Sequence, residues 1–153
     1  MLTSNSASLV YLQVGIGVVA AALRSVLEDV GAPDVASAYL FGSAAEGRSH
    51  RESDLDIGVL LSWSSLPQRS DRFEAGIRLA GRLQALLAQP VDLVVLNDVP
   101  PLFGRHVVTE GRRLLLRNAG CDHDFVRDVQ LRAADLAPWL ARMRALKLES
   151  LRR

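Results

Sequence analysis

An apolar run at residues 38–41 ends in Gly42-Ser43, and after ten intervening residues a second apolar run begins with Asp54-Leu55-Asp56. Alternate residues of a strand point to the same side. A strand over residues 54–61 therefore aims Asp54 and Asp56 at one point while Leu55 and Ile57 turn into a core. Gly42 lets backbone approach a ligand closely, Ser43 places a hydroxyl beside it, and backbone N–H groups at a helix start cradle phosphate. Two hard carboxylates converging opposite them suit Mg²⁺ or Mn²⁺. The pattern predicts a strand over 35–41, a short helical turn over 43–47, and metal-dependent chemistry on a nucleotide where the two strands meet.

A third carboxylate joins this set. Residues 90–96 read as another buried strand, with Asp92 the one acid in an otherwise apolar run. A buried carboxylate is costly and needs a reason. If this strand lies beside residues 54–61, Asp92 reaches the same metals and takes a proton from an attacking hydroxyl. Two ions about 3.5–4 Å apart stabilise both the attacking and the leaving oxygen in such a transfer. An isolated Asp-x-Asp is most often an acidic exposed strand face. Its company with Gly42-Ser43 and Asp92 favours the metal site.

The remaining segments frame these strands. Leu9, Leu12, Ile16, Val19, Leu23, Val26 and Val30 recur at helical spacing, so a helix is expected over about 8–30, capped by Ser6 or Ser8 and ended by Gly31 and Pro33. Residues 71–87 form a second helix with Phe73, Ile77, Leu79, Ala80, Leu83, Leu86 and Leu87 on its apolar face and Arg72, Arg78 and Arg82 outside. Pro100-Pro101 opens a third helix that Gly111 closes, and Leu114-Leu115-Leu116 is a short fourth strand. From 122 to 152 the chain is helical, with Phe125, Val129, Leu136, Leu140, Met143 and Leu146 in one stripe and Pro138 kinking or dividing it. Asp122-His123-Asp124 fits the start of that helix better than a second metal site, because acids there complement the helix dipole. His50 lies inside the motif loop, within reach of phosphate.

Composition bounds the rest. With 153 residues, 49% hydrophobic and 23% charged, the chain is one globular domain with a sizeable core. A net charge of +1 excludes the strong basic field of a long nucleic-acid footprint, so no direct nucleic-acid binding is expected. The single Cys121 excludes an internal disulfide and fits a reducing, cytoplasmic setting. Residues 1–23 carry no charge, but they lack a basic leader region and are interrupted by Ser, Thr, Asn and Gln, so neither secretion nor membrane spanning is expected. The excess of Arg142, Arg144, Lys147, Arg152 and Arg153 over Glu149 reads as a solvated tail or a surface for an acidic partner.

Gly42-Ser43, the spacer, Asp54-x-Asp56 and the later Asp92 resemble the signature of the DNA polymerase β-like nucleotidyltransferase superfamily, and most of all its minimal nucleotidyltransferases. The resemblance covers roughly residues 35–116. It implies an α/β (α+β) fold: a small mixed sheet flanked by helices, with the core at about 35–117 and a helical C-terminal tail. It also implies a magnesium- or manganese-dependent enzyme in which Gly42 and Ser43 bind ATP and Asp54, Asp56 and Asp92 are catalytic metal ligands. Minimal nucleotidyltransferases commonly act as antitoxins, transferring AMP to a tyrosine of a cognate HEPN ribonuclease toxin, and that function is expected here. The alternatives are a non-catalytic antitoxin that occludes its partner and a nucleotidyltransferase acting on a small molecule such as an antibiotic. One departure from the pattern is Glu46, an acid where many members carry a basic residue.

Overall fold

The computed structural model describes residues 15–46 and 54–152, and within them the chain folds around one mixed four-stranded sheet. The elements run α1 (Ile16–Leu27), β1 (Val35–Phe41), α2 (Gly42–Ala45), β2 (Leu55–Leu61), α3 (Arg69–Leu87), β3 (Val91–Val95), a 3-10 turn (Leu96–Asp98), α4 (Pro101–Glu110), β4 (Arg112–Leu116) and α5 (Ala119–Leu151). The strand order is β3-β2-β1-β4. β1 is antiparallel to both β2 and β4, whereas β2 and β3 are parallel, which requires the long α3 crossover between them.

Strand alternation sends residues to two cores. Leu40, Ile57, Val59 and Leu61 face α1 and α3, packing with Leu23, Leu79 and Leu83. Tyr39, Phe41 and Leu60 face α4 and α5, packing with Val107, Phe125 and Val129. Each fully buried aliphatic side chain contributes about 1.5–3 kcal/mol relative to exposure, so burial on both faces holds the sheet between the helices. Asn97 extends the β2 edge beyond β3. Its side chain accepts from the Leu61 N–H and donates to the Leu61 carbonyl, each at 2.9 Å.

Several sequence expectations change. α1 ends at Leu27, and Val30 is fully exposed rather than part of its apolar face. The expected N-terminal positions Ser6, Ser8, Leu9 and Leu12 lie outside the described residues. β3 is an edge strand, half-buried rather than buried, with Asp92 exposed. That exposure removes the burial cost on which the sequence argument drew.

The helix α3 is rotated from its expected setting. Arg72 is 4% exposed and Phe73, Ile77 and Leu86 face outward. The cause is a guanidinium with four of its five N–H donors bonded within the fold: Nε and Nη2 donate to the Asp98 carboxylate at 2.9 and 2.7 Å, and Nη1 donates to the carbonyls of Leu66 and Pro67 at 2.9 and 2.8 Å. Arg72 also lies over the Trp63 ring, 4.6 Å from its centroid. Removing one partner leaves the other polar groups stranded, so Arg72→Met is expected to cost about 2–4 kcal/mol. A denaturant-midpoint measurement checks it, and Arg72→Met combined with Asp98→Leu is expected to recover part of the loss.

α5 also departs from expectation. Pro138 sits inside a single uninterrupted 33-residue helix. The carbonyl left without a donor one turn earlier belongs to exposed Ala134, where solvent has access to it. Phe125, Val129 and Ala133 are buried, but Leu136, Trp139, Met143 and Leu146 are exposed, so the distal stripe is uncovered. The helix cap is Asn118, whose side chain accepts from the Cys121 N–H at 3.0 Å. Asp122 instead anchors the helix to the sheet: it is buried, accepts the Tyr39 hydroxyl at 2.7 Å and lies 3.5 Å from Arg113. Burial first, and the Asp122 carboxylate second, hold the Tyr39 hydroxyl above its ordinary range, which keeps it a donor.

Candidate active site

The carboxylates meet at one end of the sheet. Phe41 is the last residue of β1, and antiparallel pairing sets it opposite Asp56, the second residue of β2. Parallel pairing then sets Asp56 opposite Asp92 on β3. Phe41, Asp56 and Asp92 thus form one row across three strands, neighbours in the row being about 4.8 Å apart along the ladder. Asp54 immediately precedes β2, next to the point where the Leu55 N–H donates to the Pro90 carbonyl at 3.0 Å. The structure thus brings Asp56 and Asp92 together through strand register and leaves Asp54 just ahead of β2 rather than on it.

Gly42 closes the row from below. Its φ of 69° is in the left-handed region, and a Cβ placed there would overlap the Asp56 carboxylate, with Asp56 Cγ only 3.0 Å away. Glycine is required twice over, by backbone conformation and by space. α2 starts at Gly42, so its free N–H groups and the half-buried Ser43 sit beside the acidic row. Glu46 follows α2 and is exposed. His50 falls outside the described residues.

Crowding shows in the electrostatics. Burial, then the charges of Asp92 and Asp54, push the Asp56 carboxyl above its usual range. Three acids whose negative charges oppose one another fit a divalent cation in donor chemistry, since oxygen ligands suit magnesium and manganese. Among the described residues no three His, Cys, Asp or Glu side chains are grouped so that they could hold a metal ion on their own. Magnesium typically takes one or two carboxylates and completes its shell with water and substrate phosphates, so an open carboxylate row suits it.

One residue beside the row escaped sequence reasoning. The Phe103 ring packs edge-on against Phe41, with centroids 5.5 Å apart and planes at 88°. No motif marks Phe103, which lies in an ordinary amphipathic helix; only the fold of α4 over β1 brings it here.

The family model described as Polymerase beta, Nucleotidyltransferase matches residues 23–119. The protein adenylyltransferase MntA of Shewanella oneidensis is 38% identical over 82 residues, which is 54% of this chain and 55% of that protein. The match thus spans about half the length of that relative. A chain in a crystal structure of a toxin-antitoxin with AMP-PNP superimposes with a TM-score of 0.62 at 28% identity, covering 88% of this chain and 98% of its own. The fold alone is shared, at 23% identity and a TM-score of 0.56, with a chain from a structure of a tri-AMPylated Shewanella oneidensis HEPN toxin in complex with MNT antitoxin, covering 90% of this chain and 99% of that one. Among the described residues no helix is long and apolar enough to cross a membrane.

Proposed function

The chain belongs to the polymerase β nucleotidyltransferase family, and from that premise we propose that it transfers AMP from ATP to a hydroxyl of a partner protein, a tyrosine of a HEPN ribonuclease toxin, and so acts as its antitoxin. The observation that carries the reading is the Asp56 carboxylate pressed against Gly42 with Asp92 opposite it in register. In this reading the α2 N–H groups and Ser43 hold the terminal phosphates. Asp54, Asp56 and Asp92 would hold magnesium or manganese, which would supply charge neutralisation to the transfer.

Each remaining step belongs to the chain's own residues. Gly42 and Ser43 fix the phosphate end so that the α-phosphorus lies over the acidic row, in line with the acceptor. Asp92, exposed at the sheet edge, accepts the proton of the incoming hydroxyl. The acceptor oxygen bonds to the α-phosphorus, the bond from that phosphorus to the bridging oxygen breaks, and pyrophosphate leaves. AMP on a toxin tyrosine adds bulk and negative charge where an anionic RNA must enter, which blocks it by sterics and repulsion. The need for ATP and the single free Cys121 favour the cytoplasm as the site of action.

A second reading is favoured by one observation, the uncovered stripe of Leu136, Trp139, Met143 and Leu146 on α5. Such a surface suits a stoichiometric inhibitor that occludes its partner by contact alone. Catalysis predicts that the chain silences a HEPN ribonuclease at well under one equivalent, and only with ATP. Equal silencing without nucleotide, at one equivalent, establishes occlusion instead.

A further inference from the structure

We propose that the free edge of β3 receives the acceptor as an added strand, so that the acceptor segment is extended and its hydroxyl residue stands between apolar neighbours. The inference deepens the transfer reading above and rests on Asp92 as the group that meets the incoming hydroxyl. β3 is the outer strand of the sheet, and among the described residues no strand lies on its far side. Leu55 is in register with Val91, and its N–H donates to the Pro90 carbonyl at 3.0 Å. By alternation the main-chain groups of Asp92 and Val94 turn to β2, and those of Val91, Leu93 and Val95 turn outward. The Val91 N–H is met there by the Gln84 side chain at 3.3 Å, which leaves the Leu93 N–H and carbonyl facing the open edge. Apart from the charge of Asp92, β3 has none of the lysines, prolines or bulges that usually blunt such an edge.

α3 walls this edge. Gly76 rests on β3 so closely that a Cβ there would stand 2.9 Å from Val95 Cγ2 and 3.5 Å from Leu93 Cδ2. Gln84 shows which side of α3 overhangs the edge, and Ile77 and Phe73, two and three turns earlier, lie on that same side. They are 58% and 65% exposed, although both are large and apolar. A strand laid against β3 turns alternate side chains onto Phe73 and Ile77, on the face where Leu93 packs, and the others onto the face of Asp92 and Asp56. The acceptor is the occupant because its hydroxyl must reach Asp92, which stands on this strand and is exposed. Main-chain pairing then sets how closely the segment approaches, and alternation selects the side chain that enters. An acceptor recognised in this way is defined by its extended backbone and by a hydroxyl residue with an apolar residue immediately before and after it.

The test is label transfer from ATP labelled at the α-phosphate, with magnesium and the whole chain, to a HEPN-type partner and to short tyrosine peptides. The Phe73→Lys, Ile77→Lys double variant is expected to raise the KM for both acceptors about tenfold and to leave the KM for ATP unchanged, which also shows that the fold is intact. A peptide with valine on both sides of its tyrosine is expected to be used about tenfold better than one with serine there. N-methylation of one alternate set of peptide amides is expected to cost about fivefold and of the other set nothing, because one set alone faces Leu93. Wild-type acceptor kinetics in the double variant, or an equal rise in its KM for ATP, overturn the docking edge. So do equal use of the two peptides, equal effects of the two methylated sets, and label on the partner but on no peptide. A wild-type dimer that the double variant separates without change in transfer assigns the edge to a second copy and overturns the proposal. A wild-type chain that labels neither partner nor peptide overturns the transfer reading itself, and the edge with it.

Discussion

Asp56→Asn is expected to lower AMP transfer by about 10³-fold or more while raising the melting temperature of the free protein. The loss follows from the position of Asp56 at the centre of the row, between Phe41 and Asp92, where it is the carboxylate best placed to share a divalent ion with either neighbour. Charge stabilisation by a bound ion is worth several kcal/mol in the transition state, and each 1.36 kcal/mol is a factor of ten in rate. The gain in stability follows from the same crowding. Burial, Asp92 and Asp54 raise the Asp56 carboxyl above its value in the unfolded chain. Between those two values the folded state binds the extra proton, so stability falls as pH rises through that window. A neutral amide removes the penalty, so the variant is expected to melt above wild type. Added magnesium should then stabilise wild type more than the variant. Paired thermal melts with and without magnesium, alongside transfer rates, check both halves; a variant that melts lower than wild type without metal contradicts the crowding argument.

Gly42→Ala is expected to lose both fold stability and transfer. A φ of 69° costs an L-residue about 1–2 kcal/mol, and the new methyl would also displace the Asp56 carboxylate that lies against this position. The expected fall in melting temperature is about 5–10 °C, with at least a hundredfold loss of transfer because the phosphate cradle and the central carboxylate move together. A variant that melts and transfers like wild type would show that Gly42 does not shape the site. Gly31, also at positive φ, has open space around it, so Gly31→Ala is the control for strain without displacement.

How far the sequence revealed these features depended on the kind of interaction behind each. β1 was legible to the residue because an unbroken apolar run ended in Gly-Ser, and β2 was legible except that Asp54, expected on the strand, precedes it. Asp92 was found through its strand, although the reason it is tolerated there is edge exposure rather than rescue of a buried charge. The rotation of α3 was not legible: periodicity assigns arginine to water, and only the fold brings Asp98 and the carbonyls of Leu66 and Pro67 around Arg72. Pro138 misled for a related reason, since its missing N–H matters only where the freed carbonyl is shielded from water. Phe103 carried no local mark, and its contact with Phe41 across 62 positions arises from tertiary packing alone.

The most direct test of the account is label transfer from ATP labelled at the α-phosphate, with magnesium, to a purified HEPN-type partner. The wild-type chain is compared with the Asp54→Asn, Asp56→Asn double variant. The account predicts label on the partner with wild type and none with the double variant. A partner that stays unlabelled by wild type, yet is still bound and silenced by both proteins, would contradict it.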